Sequence, residues 1–292
     1  MSLKRVGLTV VLLAFWACSQ ALAASPRETG FLKRSAPFGG EQRGYRVYLP
    51  ENFDAKKKYP VLLFLHGAKQ WGEDNEGQLA FGLPAMMRPG GSVERKLDAA
   101  ALDSFIGVFP QTRPEEFWIG EIVDYAVRAL DQTAAEFGAD PGRLYVTGFS
   151  MGGYGSWYAA AKYPGKFAAI VPVGGNIQIP DRFPRAGVEK LLPPDMLALY
   201  HARDPHAAFV RATGKTPVWI FHGDKDEAVP VSDARGAAAA LKAAGVSFRY
   251  TEYEDTNHFM FDRAYTEPGF WEWLLSQRLA PKAALPAGKR KR

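Results

Sequence analysis

The chain alternates between short apolar runs and longer amphipathic or small-residue stretches. Unbroken apolar runs are typical of strands that are covered on both faces. They predict strands at 60–65, 103–110, 144–149, 167–173 and 217–221, with another at 246–253. The stretches between them predict helices at 121–137, 151–162, 231–244 and from 270 onward. Because strands alternate with helices, we predict one α/β domain with a mostly parallel central sheet flanked by helices.

Some stretches depart from this alternation. Residues 24–42 show little periodicity and are predicted to be an N-terminal extension, whereas 43–50 alternates apolar and polar positions like a half-exposed edge strand. Residues 74–87 could hold a helix. Residues 174–216 have poor periodicity and frequent prolines, and we interpret them as an excursion that could cap the site. The predicted domain therefore runs from 43 to 279.

The first 23 residues have the composition of a secretory signal. Lys4 and Arg5 precede an apolar run, and Ala21-Leu22-Ala23 matches a small-residue cleavage site. We expect cleavage after Ala23 and a secreted or periplasmic protein. The alternative of a membrane anchor is disfavoured because the apolar run is short for a spanning helix, so no stable membrane insertion is expected.

The only cysteine, Cys18, lies inside this predicted signal. Lipid attachment at Cys18 is an alternative, but Phe15-Trp16-Ala17 fits a lipoprotein signal poorly. After cleavage the chain would contain no thiol or disulfide, which suits an oxidising compartment.

The net charge of +5 is concentrated at the two ends. Lys4 and Arg5 belong to the predicted signal, and residues 280–292 form a basic, Pro- and Ala-rich tail that is predicted to be disordered. A nucleic-acid enzyme would carry its positive charge on the fold itself, so no nucleic-acid partner is expected. Binding of the tail to an anionic surface remains an alternative.

The most informative motif follows the predicted strand at 144–149 and reads Gly148-Phe149-Ser150-Met151-Gly152-Gly153. A serine on a sharp turn between a strand and a helix, with glycines two positions before and after it, is the arrangement of an exposed nucleophile. The helix N-terminus beside it favours a developing oxyanion. The alternative interpretation is a turn that serves packing alone.

A serine nucleophile needs a base, and His258 is predicted to supply it because this histidine follows the last predicted strand in a polar loop. His66 and His222 each precede a glycine at a strand end, where imidazoles commonly support the turn. His201 and His206 lie in the 174–216 segment at a spacing that does not share a helical face, so no metal site is predicted there.

The acid that orients the base is predicted in the loop after the 217–221 strand. Asp226 is favoured, Asp224 is the alternative, and Glu227 lies in the same loop. Asp255 lies near His258 and is assigned to the structure of its own loop. The oxyanion hole is predicted to use the backbone N–H of Met151 and a second N–H from the turn at Ala68 or Lys69.

Together these residues resemble the carboxylesterase/phospholipase-like branch of the α/β hydrolases, whose members are often described as predicted peptidases or compared with polyhydroxybutyrate depolymerases and feruloyl esterases. The resemblance runs from about residue 61 to the C-terminal helix. It rests on His66-Gly67-Ala68, Trp71-Gly72-Glu73-Asp74-Asn75, Gln78-Leu79, Pro110-Gln111, Trp118, the Ser150 motif, His222-Gly223-Asp224-Lys225-Asp226 and His258. Lys69-Gln70-Trp71 differs from the Gly-Glu-Arg often found in the oxyanion turn of that branch.

The resemblance implies an α/β-hydrolase fold, Ser150, Asp226 and His258 as catalytic triad, and Gln111 and Trp118 as pocket residues. Trp71 and Tyr154 are further aromatic candidates for substrate contact, although aromatics near strand ends are often core. We therefore expect an exported serine esterase that acts on a small-molecule or polymer ester without a cofactor. A serine peptidase and a non-catalytic binding protein on the same scaffold are the alternatives, and the sequence predicts no oligomeric state.

Overall fold

A computed structural model describes residues 29–88, 93, 96–178, 187 and 189–280, and its strands form one eight-stranded sheet. The strands are β1 (Gly30–Phe38), β2 (Glu41–Leu49), β3 (Val61–Leu65), β4 (Ile106–Pro110), β5 (Leu144–Phe149), β6 (Ala169–Val173), β7 (Val218–Gly223) and β8 (Phe248–Tyr253). Their spatial order is β1-β2-β4-β3-β5-β6-β7-β8. β2 pairs antiparallel with both β1 and β4, and all the other pairs are parallel.

Helices cover both faces of the sheet. Those in the described residues are α1 (Leu83–Met87), α2 (Ala99–Leu102), α3 (Gly120–Glu136), α4 (Met151–Lys162), α5 (Pro194–Tyr200), α6 (Pro205–Thr213), α7 (Val231–Ala243), α8 (Phe261–Tyr265) and α9 (Phe270–Ser276). Two short 3₁₀ turns lie at Ala68–Gln70 and Gly77–Leu79. No helix among the described residues is long and apolar enough to cross a membrane.

The core consists of two clusters, one on each face of the sheet. Alternate side chains of β3 show this: Leu63 and Leu65 join the cluster under α3, α4, α6 and α7, whereas Leu62 and Phe64 join the cluster under α1, α8 and α9. Because both faces are covered, the central strands are buried throughout, which explains their unbroken apolar runs.

The predicted edge strand at 43–50 is wrong in its position. It corresponds to β2, which lies inside the sheet, and the true edge is β1, in the stretch predicted to be an extension. β1 buries only Leu32 and Ala36 fully, so its sequence carries little periodicity. The feature of the sequence that indicates this strand is the pair Gly39-Gly40. Both residues have positive φ and join β1 to β2 in a tight hairpin turn.

The single helix considered for 74–87 is also not found. A 3₁₀ turn at Gly77–Leu79 and the short α1 replace it. Asp74 explains the interruption, because its carboxylate accepts hydrogen bonds from the amides of Glu76 and Gly77 and so holds the chain in a turn.

The segment predicted as an excursion, 174–216, lies partly outside the described residues, at 179–186 and 188. In its described part, α6 packs against α4 and α7 and buries Phe209 completely. This part of the segment therefore belongs to the helical layer. The predicted signal, 1–23, and the predicted tail after residue 280 lie outside the described residues.

Candidate active site

Ser150 lies between β5 and α4 in a backbone conformation that few residues adopt, with φ 57° and ψ −116°. The strain is held by neighbouring backbone, since the Ser150 amide donates to the carbonyl of Val173 at 2.9 Å. The turn aims the hydroxyl out of the C-terminal edge of the parallel strands, where ligand sites form in open α/β sheets.

The two flanking glycines are required by close backbone contacts. A Cβ on Gly148 would lie 2.3 Å from the carbonyl oxygen of Gly152, and one on Gly152 would lie 1.7 Å from the carbonyl oxygen of Leu65. No side chain fits in either place. The G-x-S-x-G spacing therefore follows from the packing of β5, α4 and the end of β3.

The structure brings Ser150, His258 and Asp226 together from the ends of β5, β8 and β7. His258 Nε2 lies 2.8 Å from Ser150 Oγ, and His258 Nδ1 lies 2.7 Å from Asp226 Oδ2. An ionised carboxylate can only accept, so Nδ1 carries the proton and donates to Asp226. The lone pair of Nε2 is then free to accept the proton of the Ser150 hydroxyl.

Asp226 is buried but remains ionised. Burial opposes its charge, but hydrogen bonds from His222 and His258 and from the Val229 amide outweigh that effect and hold the pKa of the carboxyl well below its usual range. Its Oδ1 accepts from the amides of Ala228 and Val229 at 2.9 and 2.7 Å. The carboxylate thus stays charged opposite His258.

His222 is a second imidazole on the same carboxylate, which the sequence analysis treated only as a turn residue. It is completely buried, and its Nε2 lies 2.9 Å from the Val229 carbonyl oxygen and 3.3 Å from Asp226 Oδ2. Both neighbours are acceptors, so Nε2 carries a proton that points between them. The signal in the sequence is the four-residue spacing from His222 to Asp226 across the end of β7.

The other acidic candidates support the loops around the site. Asp224 accepts from the amide of Thr256 at 3.1 Å and so fixes the chain that leads to His258. Asp255 forms an exposed ion pair with Lys225. Glu227 is exposed beside Asp226. Of the predicted acids, Asp226 alone contacts His258 in the described residues.

His66 joins the ends of two strands. It is fully buried, donates from Nδ1 to the Gly67 carbonyl oxygen at 2.7 Å and accepts at Nε2 from the Thr112 amide at 3.1 Å. Burial lowers its pKa to about 4, and the bond to Gly67 only partly opposes this shift. His66 is therefore neutral near pH 7, and it positions the turn that follows β3.

The two histidines of the 174–216 segment lie apart from each other and have separate partners. His201 Nε2 is 2.9 Å from Glu189 Oε1, and His206 Nε2 is 2.6 Å from Asp233 Oδ1. The described residues contain no group of three or more side chains arranged to hold a metal ion.

The two amides predicted to form the oxyanion hole belong to helical turns next to Ser150 and to the end of β3. Met151 is the first residue of α4, and Ala68 opens the 3₁₀ turn after β3, beside the close contact between Leu65 and Gly152. No hydrogen bond from either amide to another described group is observed. Both N–H groups are available for an oxyanion, whereas Lys69 lies one residue further along, with an exposed side chain.

The two predicted pocket residues, Trp118 and Gln111, are both buried. Trp118 is 1% exposed and donates from Nε1 to the His66 carbonyl oxygen at 2.9 Å. Gln111 is also buried; its Oε1 accepts from the Asn75 amide at 2.7 Å, and its Nε2 donates to Asp74 Oδ1 at 2.9 Å. Both side chains brace the loops after β3 and β4. The burial of Trp118 corrects its assignment from substrate contact to a supporting position, whereas Gln111 also lines a cavity and its contact with substrate stays a prediction.

The other two aromatic candidates are less buried. Trp71 is half-buried and donates from Nε1 to the Glu116 carbonyl oxygen at 2.9 Å, which ties the loop after β3 to the loop after β4. Tyr154 is half-buried on the first turn of α4, one turn from Ser150. The ring centres of Phe149 and Phe259 lie 4.8 and 5.7 Å from that of His258.

Comparison with known proteins adds a family and several relatives. The model of the prolyl oligopeptidase family matches residues 118–276. An uncharacterized secreted protein of Arthroderma benhamiae is 30% identical over 71% of this chain and 22% of its own length. Dipeptidyl-peptidase 5 of Aspergillus fumigatus is 25% identical over 73% of this chain and 30% of its own length. The chain thus spans less than a third of these two relatives.

Among solved structures, a thermostable esterase superposes with a TM-score of 0.67 at 26% identity. The match covers 85% of this chain and 63% of the esterase.

Proposed function

The chain belongs to the prolyl oligopeptidase family of serine hydrolases, and from that premise we propose that it is an exported hydrolase that cleaves carboxylic esters. The α/β-hydrolase fold predicted from the sequence is confirmed by the sheet topology and by the esterase likeness. The esterase activity, the export and the roles of individual residues are the proposal.

One observation carries the proposal: the direction of the hydrogen bonds from Ser150 through His258 to Asp226. A serine hydroxyl is a weak nucleophile until a base removes its proton. His258 is held in the tautomer that can do so, because its other nitrogen already donates to a buried, ionised carboxylate. The strained turn and the two available amides complete what acyl transfer requires.

In the proposed mechanism, Ser150 Oγ attacks the ester carbonyl carbon while His258 Nε2 takes the hydroxyl proton. Asp226 stabilises the imidazolium that forms, and the amides of Met151 and Ala68 donate to the oxyanion. The carbon–oxygen bond to the alcohol then breaks as Nε2 returns the proton to the departing oxygen. A water molecule then attacks the acyl carbon while His258 Nε2 takes its proton. The bond to Ser150 Oγ breaks, Nε2 gives the proton to Oγ, and the acid is released.

An ester is favoured over a peptide substrate by the extent of the likenesses. The match with the thermostable esterase covers 63% of that protein, whereas the match with dipeptidyl-peptidase 5 covers only 30% of the peptidase. The features that determine a dipeptidyl substrate could therefore lie in the unmatched part of the relative. A peptidase is the second candidate, because amide cleavage can use the same three side chains.

A matched pair of substrates tests this proposal. We expect the protein to hydrolyse 4-nitrophenyl acetate much faster than acetyl-4-nitroanilide or a dipeptidyl-4-nitroanilide, and Ser150→Ala to lose about 10⁴-fold or more in kcat. Feruloyl and hydroxybutyryl esters then define the acyl group. Faster cleavage of the dipeptidyl anilide would favour the peptidase, and undiminished turnover by Ser150→Ala would exclude Ser150 as the nucleophile.

Export is supported by the predicted signal at 1–23 and by the name of the relative from Arthroderma benhamiae. Expression of the full chain in a bacterium, followed by mass spectrometry of the periplasmic or secreted fraction, tests it. A chain that begins at Ala24 is expected. An uncleaved chain retained inside the cell would contradict export.

A further inference from the structure

Phenylalanine rings flank the imidazole of His258. Phe149 and Phe261 are buried, Phe81 is half-buried and Phe259 is 57% exposed. The Phe149 ring centre lies 4.8 Å from that of His258, and Phe81 lies 5.7 Å from Phe149 and 6.0 Å from Phe259. We refer to Phe81, Phe149 and Phe259 as the aromatic ledge.

Phe259 is exposed at a position that the fold fixes. Among the described residues, Leu191 is the only other exposed large hydrophobic side chain. The Phe259 amide donates to Asn257 Oδ1 at 3.0 Å, and its ring centre lies 5.7 Å from the His258 ring. An exposed apolar ring beside a reactive group is placed to contact a bound ligand, since ligand sites are lined mainly by apolar and aromatic side chains.

The ledge also extends toward the proposed oxyanion turn. The Phe149 ring lies 3.5 Å from the position that a Cβ on Gly67 would take. Phe81 packs on Phe149 and on the buried Phe261, and the ring centres of Phe81 and Phe261 are 4.4 Å apart. These two contacts hold the Phe81 ring in place. The ledge is thus an apolar surface on preformed supports.

The chemistry of the reaction decides which part of a substrate meets this surface. His258 Nε2 must deliver a proton to the departing oxygen, so that oxygen has to come within hydrogen-bond distance of Nε2. The group attached to the departing oxygen then lies next to whatever flanks the imidazole. The exposed ring of Phe259 is such a neighbour of the imidazole, and Phe81 contacts the Phe259 ring in turn.

We propose that Phe259 and Phe81 form the leaving-group subsite and that the substrates are esters of apolar, aromatic alcohols. The inference rests on the proposed ester hydrolysis. The ring of the alcohol packs against Phe259 during acylation and leaves with the alcohol when the carbon–oxygen bond breaks and the oxygen receives the proton from His258. Aromatic rings in such contact prefer edge-to-face or offset packing, which an exposed ring allows.

The kinetics of a shared acyl-enzyme make the proposal testable. Benzyl acetate and methyl acetate give the same acetyl-enzyme, and their alcohols have similar acidity, so the ratio of their kcat/KM values isolates contacts of the leaving group. In Phe259→Ala we expect this ratio to fall by about 10-fold, in line with the loss of an apolar contact in a pocket. Phe259→Tyr keeps the ring and should retain the ratio of the unmodified protein.

The matched control is the ratio of the kcat/KM values for methyl phenylacetate and methyl acetate, because methyl phenylacetate carries its ring on the acyl side. This second ratio should not change in Phe259→Ala. If the ratio of benzyl acetate to methyl acetate did not change in Phe259→Ala, or if only the ratio of methyl phenylacetate to methyl acetate fell, Phe259 would not be part of a leaving-group subsite. Either result would leave the proposed ester hydrolysis intact. Failure of the proposed function looks different: the unmodified protein would hydrolyse none of these esters, or Ser150→Ala would hydrolyse them equally well.

Discussion

Asp226 is held ionised by protein groups rather than by water. Two imidazoles and two amides surround its carboxylate, and burial alone would have favoured the neutral form. An ionised Asp226 is what keeps the proton of His258 on Nδ1. His222 also contacts this carboxylate, so in the proposed mechanism it is a positioning residue for Asp226.

The lowered pKa of Asp226 predicts a pH-dependent contribution to stability. The ionised carboxylate stabilises the fold fully above the usual carboxyl pKa of about 4, and this contribution is lost as the pH falls through that value toward the lower folded pKa. The difference in unfolding free energy between the unmodified protein and Asp226→Asn should therefore be larger at pH 7 than at pH 3. Urea denaturation of both at each pH measures it, and equal differences would contradict this interpretation.

At the level of single residues, the sequence predicted which side chains meet but not which line a pocket. Ser150, Asp226 and His258 each follow a strand, and parallel strands bring those loops to one edge. Trp118 also follows a strand, yet its ring faces the core. Apolar runs and motifs do not record the direction of an aromatic side chain, so neither the burial of Trp118 nor the exposure of Phe259 was predictable.

Among the elements, the turn from β5 to α4 depends most on backbone contact. Gly152 at the start of α4 approaches the end of β3 so closely that a Cβ there would lie 1.7 Å from the Leu65 carbonyl oxygen. The same contact explains why the sequence motif was informative: its glycines are required by packing between elements, and that requirement is visible as a fixed spacing.

Gly152→Ala is therefore expected to destabilise the protein by more than about 4 kcal/mol or to prevent folding. Gly245→Ala is a matched control, because Gly245 has φ +60° but no atom within 4 Å of its Cβ position. Its cost should be limited to about 1 to 2 kcal/mol of backbone strain. Chemical denaturation compares the two variants. Similar losses would mean that the contact with Leu65 is unimportant.

A strand could be predicted from the sequence where helices cover both faces of the sheet, because its residues are then apolar throughout. β3 to β7 are buried on both faces and appear in the sequence as apolar runs. β1 lies at the edge, where Arg34 forms an ion pair with Glu136 of α3 at 2.7 Å, and its polar side chains hide the pattern. The hairpin glycines were the local signal, and only the pairing with β2 identifies β1 as a strand.

At the scale of the whole molecule, one continuous sheet joins two core clusters. Trp118 and Trp157 belong to the cluster on one face, and Trp219 and Trp273 belong to the cluster on the other. Each central strand contributes side chains to both clusters, so neither face can lose its packing while the other keeps its strands in place. The site is built from loops that follow several of these strands.

The described sheet should therefore unfold in one cooperative transition. Tryptophan fluorescence reports on both faces and far-ultraviolet circular dichroism on the helices and strands. In urea, the unfolding midpoint measured by fluorescence should equal the midpoint measured by circular dichroism. This should hold in the unmodified protein and also within each variant that lacks Trp157 or Trp219. Separate midpoints for the two faces would show that the clusters fold independently.

The contacts of Ser150 with His258, and of His258 with Asp226, should make Ser150 the one reactive serine of the protein. Reaction with a fluorophosphonate, followed by peptide mass spectrometry, tests it most directly, since the reagent modifies only an activated hydroxyl. We predict a single adduct on Ser150, no adduct there in Ser150→Ala, and labelling of His258→Ala that is slower by about 10⁴-fold. Equal labelling rates with and without His258, or an adduct on a different serine, would show that His258 does not activate Ser150.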